Sequence, residues 1–116
     1  MLATLSIVLS SCSASKEKKV ERFLSDIGGS YPSAPINLRI VEQPLDAIQG
    51  DYIEFVIEVA TSDIPSVEHS FGFALNDRQV ISKNSKVSPS YPWIISVSRR
   101  AIGPKIEVSI VARQPD

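Results

Sequence analysis

From Ile36 onward the apolar residues of this chain return at every second position, and the prolines stand only between the runs that do so. Ile36, Leu38 and Ile40 alternate with Asn37 and Arg39, and Ile53, Phe55, Ile57 and Val59 alternate with Tyr52, Glu54, Val56 and Glu58. Phe71, Phe73 and Leu75 alternate with Gly72 and Ala74, and Ile106, Val108, Ile110 and Ala112 with Glu107 and Ser109. A side-chain period of two turns one face of an extended strand inward and leaves the other to solvent. Ile94 to Ser98 reads as a weaker strand, and Arg78 to Ser82 as a short edge strand after the Asn76-Asp77 turn. Prolines 44, 65, 89, 92 and 104 fall in the gaps, as ladder pairing demands of a residue with no amide donor. No helical period of useful length is seen after residue 30. About six short strands with turn signals between them predict an all-β domain, a small antiparallel two-sheet β-sandwich.

A chain of 116 residues has room for one such domain. Twelve Lys and Arg against thirteen Asp and Glu leave a formal charge of -1, so no global positive field exists to hold phosphates, and nucleic acid is not expected as a partner. Cys12 is the single cysteine and His69 the single histidine. A disulfide scaffold and a four-ligand zinc finger are both excluded.

Leu2 to Leu9 is a short apolar run, followed by the small residues Ser10, Ser11, Cys12, Ser13, Ala14 and Ser15 and then by Lys16-Glu17-Lys18-Lys19. A membrane-spanning helix needs about 20 apolar residues. This run has instead the length of a secretory h-region, about 7 to 15 residues, with a small-residue cleavage zone behind it. The stretch Leu9-Ser10-Ser11-Cys12 resembles the lipobox of bacterial lipoproteins. The resemblance implies that Leu9 is the aliphatic residue, that Ser10 and Ser11 are the small ones, and that Cys12 takes a diacylglycerol thioether and becomes the new N-terminus. It implies a place in the cell envelope, with the membrane as a partner through the N-terminal lipid. Ser13 behind the cysteine, rather than Asp, is similar to lipoproteins passed on to the outer membrane of a two-membrane bacterium. No Lys or Arg precedes the apolar run, which departs from the usual pattern. Two other readings of these residues stay open: ordinary cleavage after Ala14 with release of a soluble protein, and a buried structural Cys12 in a domain that is not exported.

Val20, Phe23, Leu24 and Ile27 fall at i, i+3, i+4 and i+7, one face of a helix that Gly28-Gly29 would close. The opposite face carries Lys16, Lys18, Lys19 and Arg22. Such a helix either lies on an anionic membrane beside the anchor or caps the core of the domain behind it, and the third reading is a linker that is periodic only by chance over twelve residues. Residues 28–35, with Ser30, Pro32, Ser33 and Pro35, have linker composition. The expected organisation is a signal segment over 1–11, a lipidated tether with a short helix over 12–35, and the sandwich over 36–116. Within the last, Ile36 to Val41, the Gln49-Gly50-Asp51 turn into a long strand, and Ser70 to Asp77 leading into a short one resemble a bacterial immunoglobulin-like domain of the disulfide-free kind.

Motifs of catalysis are missing: there is no phosphate-cradling glycine loop, no Gly-x-Ser-x-Gly and no His-Glu-x-x-His, and no cofactor is called for. Asp63, Glu68, His69 and Ser70 form the nearest cluster, but neighbours on a strand point to opposite faces, so His69 cannot serve Ser70 directly. Glu54 and Glu58 would stand about 13 Å apart on a strand, beyond the span of an inverting glycosidase pair, about 6.5 to 9.5 Å. An enzyme is not expected.

Charge is divided along the chain. Residues 36–77 hold Arg39 against eight acids, and residues 78–113 hold seven cations against Glu107. Pairing of early with late strands would neutralise this internally, whereas a patch at Arg99 and Arg100 would engage an anionic polysaccharide, lipid head groups or an acidic protein partner, such as an envelope protein. Tyr91-Pro92-Trp93 enters a strand from a proline-punctuated loop. Tyr91 and Trp93 would stack on sugar rings if exposed, and Trp93 would plug the core if not. The candidate ligand-binding residues are therefore Tyr91, Trp93, Arg99 and Arg100, with Cys12 as the lipidation site. The expected function is a lipid-anchored, non-enzymatic binding or accessory module of the cell envelope; the alternative is a freely secreted carbohydrate-binding or adhesion domain.

Overall fold

The computed structural model describes residues 16–41 and 52–114 of the chain. In chain order it has a helix α1 over residues 16–26, then β1 (Asn37–Ile40), β2 (Tyr52–Ala60), a 3-10 turn (Thr61–Asp63), α2 (Ile64–Phe71), β3 (Gln79–Lys83), β4 (Trp93–Ile102) and β5 (Lys105–Arg113). The strands form one antiparallel sheet in the order β1-β2-β5-β4-β3. The chain is mostly β, and the alternation seen in the sequence is the pleat of this sheet. Cys12 and Pro44 lie outside the described residues.

One face of the sheet is the floor of the core. Phe55, Ile57 and Val59 of β2, Ile106, Val108, Ile110 and Ala112 of β5, and Trp93, Ile95 and Val97 of β4 are all buried. The intervening residues Tyr52, Glu54, Ser109, Ser96, Ser98 and Arg113 point the other way, as a period of two requires.

Across the core stands a helical layer where a second sheet is expected from sequence. Val20, Phe23 and Leu24 of α1, Ile64, Val67 and Phe71 of α2, and Phe73 and Leu75 behind it close over the sheet in a single cluster. The two-sheet, immunoglobulin-like arrangement thus gives way, among the described residues, to one sheet under two helices. The cause lies in residues 64–75. Pro65 sits in the first turn of α2, where a missing amide costs nothing and the fixed φ favours the helix, so it starts an element instead of separating two. Gly72, at φ 85°, ends α2. Phe71, Phe73 and Leu75 do alternate with exposed neighbours, but no strand pairs with this stretch: the Leu75 amide donates to Glu68 Oε2 at 2.7 Å. Alternating burial there reflects an extended chain crossing a core without a ladder.

α1 corrects the expected domain boundary. Its apolar face is fully inside, with Val20 and Leu24 at 0% exposure, so residues 16–35 belong to the folded unit and do not form a tether. The helix closes by a paired C-terminal motif: Gly28, at φ 87°, donates to the Ser25 carbonyl, and Gly29 donates to the Leu24 carbonyl at 2.7 Å. Gly29 also lies against the end of α2, where a Cβ would collide with the Phe71 carbonyl, and Ser30 donates its amide to the Ser70 carbonyl at 2.7 Å. Gly29→Ala forces these two helix ends apart. A loss of about 1 to 3 kcal/mol is expected for strain of this kind, read from the midpoint of urea unfolding, whereas Gly72→Ala, with open space around its Cβ, suffers only from its left-handed backbone.

Candidate functional site

Asp26 ends α1 on the flank that faces the loop between β3 and β4. Its Oδ2 accepts from Ser85 Oγ at 2.5 Å and from Trp93 Nε1 at 2.8 Å, and its Oδ1 accepts from the Val87 amide at 2.9 Å. Its main-chain carbonyl accepts from the Lys86 amide, and Ser85 Oγ in turn accepts from the Ser88 amide. One carboxylate therefore gathers residues some sixty positions away onto the end of a helix. Burial alone would push this carboxyl up, but the hydrogen bonds from Ser85, Trp93, Val87 and Lys86 outweigh it and hold the group below its ordinary value of 3.8. A depressed carboxyl contributes stability that is complete above the unfolded value and lost as pH falls through the folded one. Acid titration should accordingly leave Trp93 fluorescence flat down to about 3.8 and change it only below; a transition centred well above that value would contradict the assignment.

Above this junction lies an open groove of about 1040 Å³ between α1, the facing ends of β1 and β2, and residues 85–88. Its floor is apolar: Phe23 and Trp93 are buried, and Ile40, Val41 and Ile53 are half-buried. Lys18, Lys19 and Arg22 stand on the α1 side and Lys86 on the loop side, all exposed. The groove also includes Glu21, Asp26 and Glu54. Glu54 Oε1 accepts from the Tyr52 hydroxyl at 2.7 Å, a bond that, with burial and the Glu54 charge, pushes the Tyr52 hydroxyl up.

The ligand residues expected from sequence do not converge. Trp93 is 7% exposed, its ring set edge-on to Phe23 with centroids 5.0 Å apart and its N–H spent on Asp26; it is a core residue, and stacking on a sugar is closed to it. Tyr91 is 50% exposed and its carbonyl accepts from Gln114 Nε2 at 2.6 Å. Arg99 and Arg100 lie at the far end of β4, about 20 Å along the strand from Trp93. They also point to opposite faces. Arg99 turns toward the helical side and donates from Nη1 to the Leu75 carbonyl at 3.0 Å, while its amide donates to Asp77 Oδ1. Arg100 turns outward and pairs with Glu107 at 3.1 Å. They form no common patch, and Arg99 serves to pin residues 75–77.

Asp63, Glu68, His69 and Ser70 lie on or beside α2 and not at a strand entry. Glu68 binds the Leu75 amide, His69 is exposed, and the Ser70 carbonyl is taken by Ser30. The acidic and basic halves do meet in the sheet, where β2 lies beside β5, but Glu58 is opposite Glu107. Among the described residues the ion pairs are Arg100–Glu107 and a long Arg78–Asp77 contact of 4.0 Å. Also among the described residues, no cluster of His, Cys, Asp and Glu is placed to hold a metal, and no helix is long and apolar enough to cross a membrane.

The sequence points to the groove only through the cations of α1. Asp26, Ser85 and Lys86 carry no local motif, because what joins them is the packing of α1 against the loop. No protein-family model, curated protein or solved structure matches the chain.

Proposed function

We propose that the chain is a lipid-anchored domain of the cell envelope that works as a non-enzymatic binding or accessory module. The observation that carries this reading is the stretch Leu9-Ser10-Ser11-Cys12 directly behind an apolar run of signal-segment length. Docking of α1 sharpens what such an anchor does. Only Ser13, Ala14 and Ser15 separate Cys12 from Lys16, the first described residue of the helix, and the four chain steps from Cys12 to Lys16 span at most about 14 Å. A lipid on Cys12 therefore holds the folded unit against the bilayer instead of at the end of a long leash. The gain is local concentration: an envelope protein or an anionic polysaccharide at the same surface meets the domain repeatedly without any strong contact being needed. In a two-membrane bacterium Ser13 directs this reading to the outer membrane.

Intact mass of the chain, expressed in a bacterium with its native N-terminus and taken from separated membrane and soluble fractions, tests the proposal. A membrane-bound species beginning at Cys12 and carrying the mass of acyl chains is expected. A soluble species beginning at Ser15, or an uncleaved Met1 chain in the cytosol, would overturn it.

A further inference from the structure

We infer that the exposed crest of α1 and its groove-facing flank form a contact surface for the headgroups of acidic phospholipids, held by Lys18, Lys19, Arg22 and, from the opposite wall, Lys86. The inference rests on the anchored reading above and goes beyond it, because the anchor itself says nothing about which side of the domain meets the membrane.

Val20, Phe23 and Leu24 are committed to the core, so α1 has no apolar face to insert between acyl chains; whatever it offers a bilayer is polar. Its charges are segregated around the helix axis. At 100° per residue, Lys18 and Arg22 fall on the crest opposite the buried face and Lys19 on the flank shared with Asp26. Glu17 and Glu21 fall on the other flank, near enough to Tyr31 that their charges, after burial, push its hydroxyl up. Glu21 still reaches the rim of the groove. Among the described residues the other two acids there are engaged within the fold, Asp26 with Ser85, Val87 and Trp93 and Glu54 with Tyr52.

Four exposed cations thus stand on two sides of an apolar floor of Ile40, Val41 and Ile53. That arrangement matches a phosphate ester that carries hydrocarbon: cations for the phosphate, the floor for the glycerol and first ester carbons. Only three residues separate Cys12 from Lys16 at the start of α1, so a lipid on Cys12 would bring the N-terminal end of this helix, with Lys18 and Lys19, to the membrane.

The test uses the full chain carrying Cys12→Ala, which cannot be acylated, sedimented with vesicles of phosphatidylcholine alone or of phosphatidylcholine with phosphatidylglycerol. Binding to the phosphatidylglycerol vesicles only is expected, weakened by added salt. Lys18→Ala/Lys19→Ala/Arg22→Ala should reduce it by about 100-fold, at roughly fivefold for each cation near an anionic surface. Arg39→Ala/Lys105→Ala/Arg113→Ala removes the same charge from the opposite face of the sheet and should leave binding within about threefold. Circular dichroism of each variant checks that the fold is retained. Equal binding to both vesicle types, or equal loss in the two triple variants, would overturn the surface. If the wild-type chain is acylated on Cys12 yet the Cys12→Ala chain shows no preference for phosphatidylglycerol, the anchor stands and the surface falls. If the preference is present but Cys12 is unmodified, the surface stands and the anchored reading falls.

Discussion

Trp93→Ala should cost about 3 to 5 kcal/mol of stability, the range for truncating a buried aromatic side chain. A small domain holds only about 5 to 15 kcal/mol in total, so the variant is expected to lose a large share of its stability. The indole fills the space between α1 and β4, edge-on to Phe23. Phe23 packs in turn on Phe55, and Phe55 on Phe71 of α2. Deleting the ring opens a cavity at one end of a row of aromatic contacts that joins both helices to the sheet. It also removes a donor from Asp26. Urea unfolding followed by circular dichroism reads the effect, with Tyr91→Ala as the comparison: half-exposed and bonded through its main chain, amide to the Ser88 carbonyl and carbonyl to Gln114, Tyr91 should change the stability by no more than about 0.5 kcal/mol. A folded Trp93→Ala variant that had lost affinity for glycans would return Trp93 to the surface role and refute its place in the core.

Asp26→Ala ranks second, at about 2 to 4 kcal/mol, because hydrogen bonds to a charged acceptor are among the stronger ones and three donors would lose theirs together. Ser85 is buried, at 3% exposure, and Trp93 at 7%, so the abandoned donors are not simply rehydrated. Asp26→Asn should fall between the two, since an amide oxygen accepts but carries no charge. The more diagnostic readout is hydrogen exchange. The Val87 and Ser88 amides, protected in the wild type by Asp26 and Ser85, should exchange at nearly loop-like rates in Asp26→Ala while β5 amides stay protected relative to global unfolding. Uniform loss of protection everywhere would mean that Asp26 supports the whole fold and has no special hold on the loop.

How much of this was legible beforehand depended on the range of the interaction. The strand faces of β1, β2 and β5 were readable because a period of two is a local consequence of burying one side of a pleated chain. The face of α1 was readable for the same reason at period 3.6. What covers that face was not, since a core and an anionic bilayer select the same four apolar residues; only the sheet beneath decides. α2 was hidden by two local signals that the tertiary structure reverses: Pro65 as an apparent break, and Phe71 to Leu75 as an apparent strand. The outer half of β4 was hidden by Arg99, Arg100 and Ala101, which pair with β5 without an apolar pattern. The opposed directions of Arg99 and Arg100 were within reach of the alternation rule that separated His69 from Ser70, and the adjacency of two cations obscured it. Asp26 and Ser85 were beyond any local rule, because their bond spans 59 positions.

The strand order has a consequence for the life of the chain before it is folded. β5, last in sequence among the described strands, is central in the sheet, with β2 on one side and β4 on the other. Until it emerges from the ribosome, the hairpins β1–β2 and β3–β4 have no partner between them. They present four unpaired edges where the finished sheet has two, and each such edge is a template for wrong association. Pairing β2 with β5 must then close a loop of some fifty residues, a slow step in a domain of this size. A chain released before Lys105 would thus be an aggregating pair of hairpins, and this sheet becomes safe only with β5 in place.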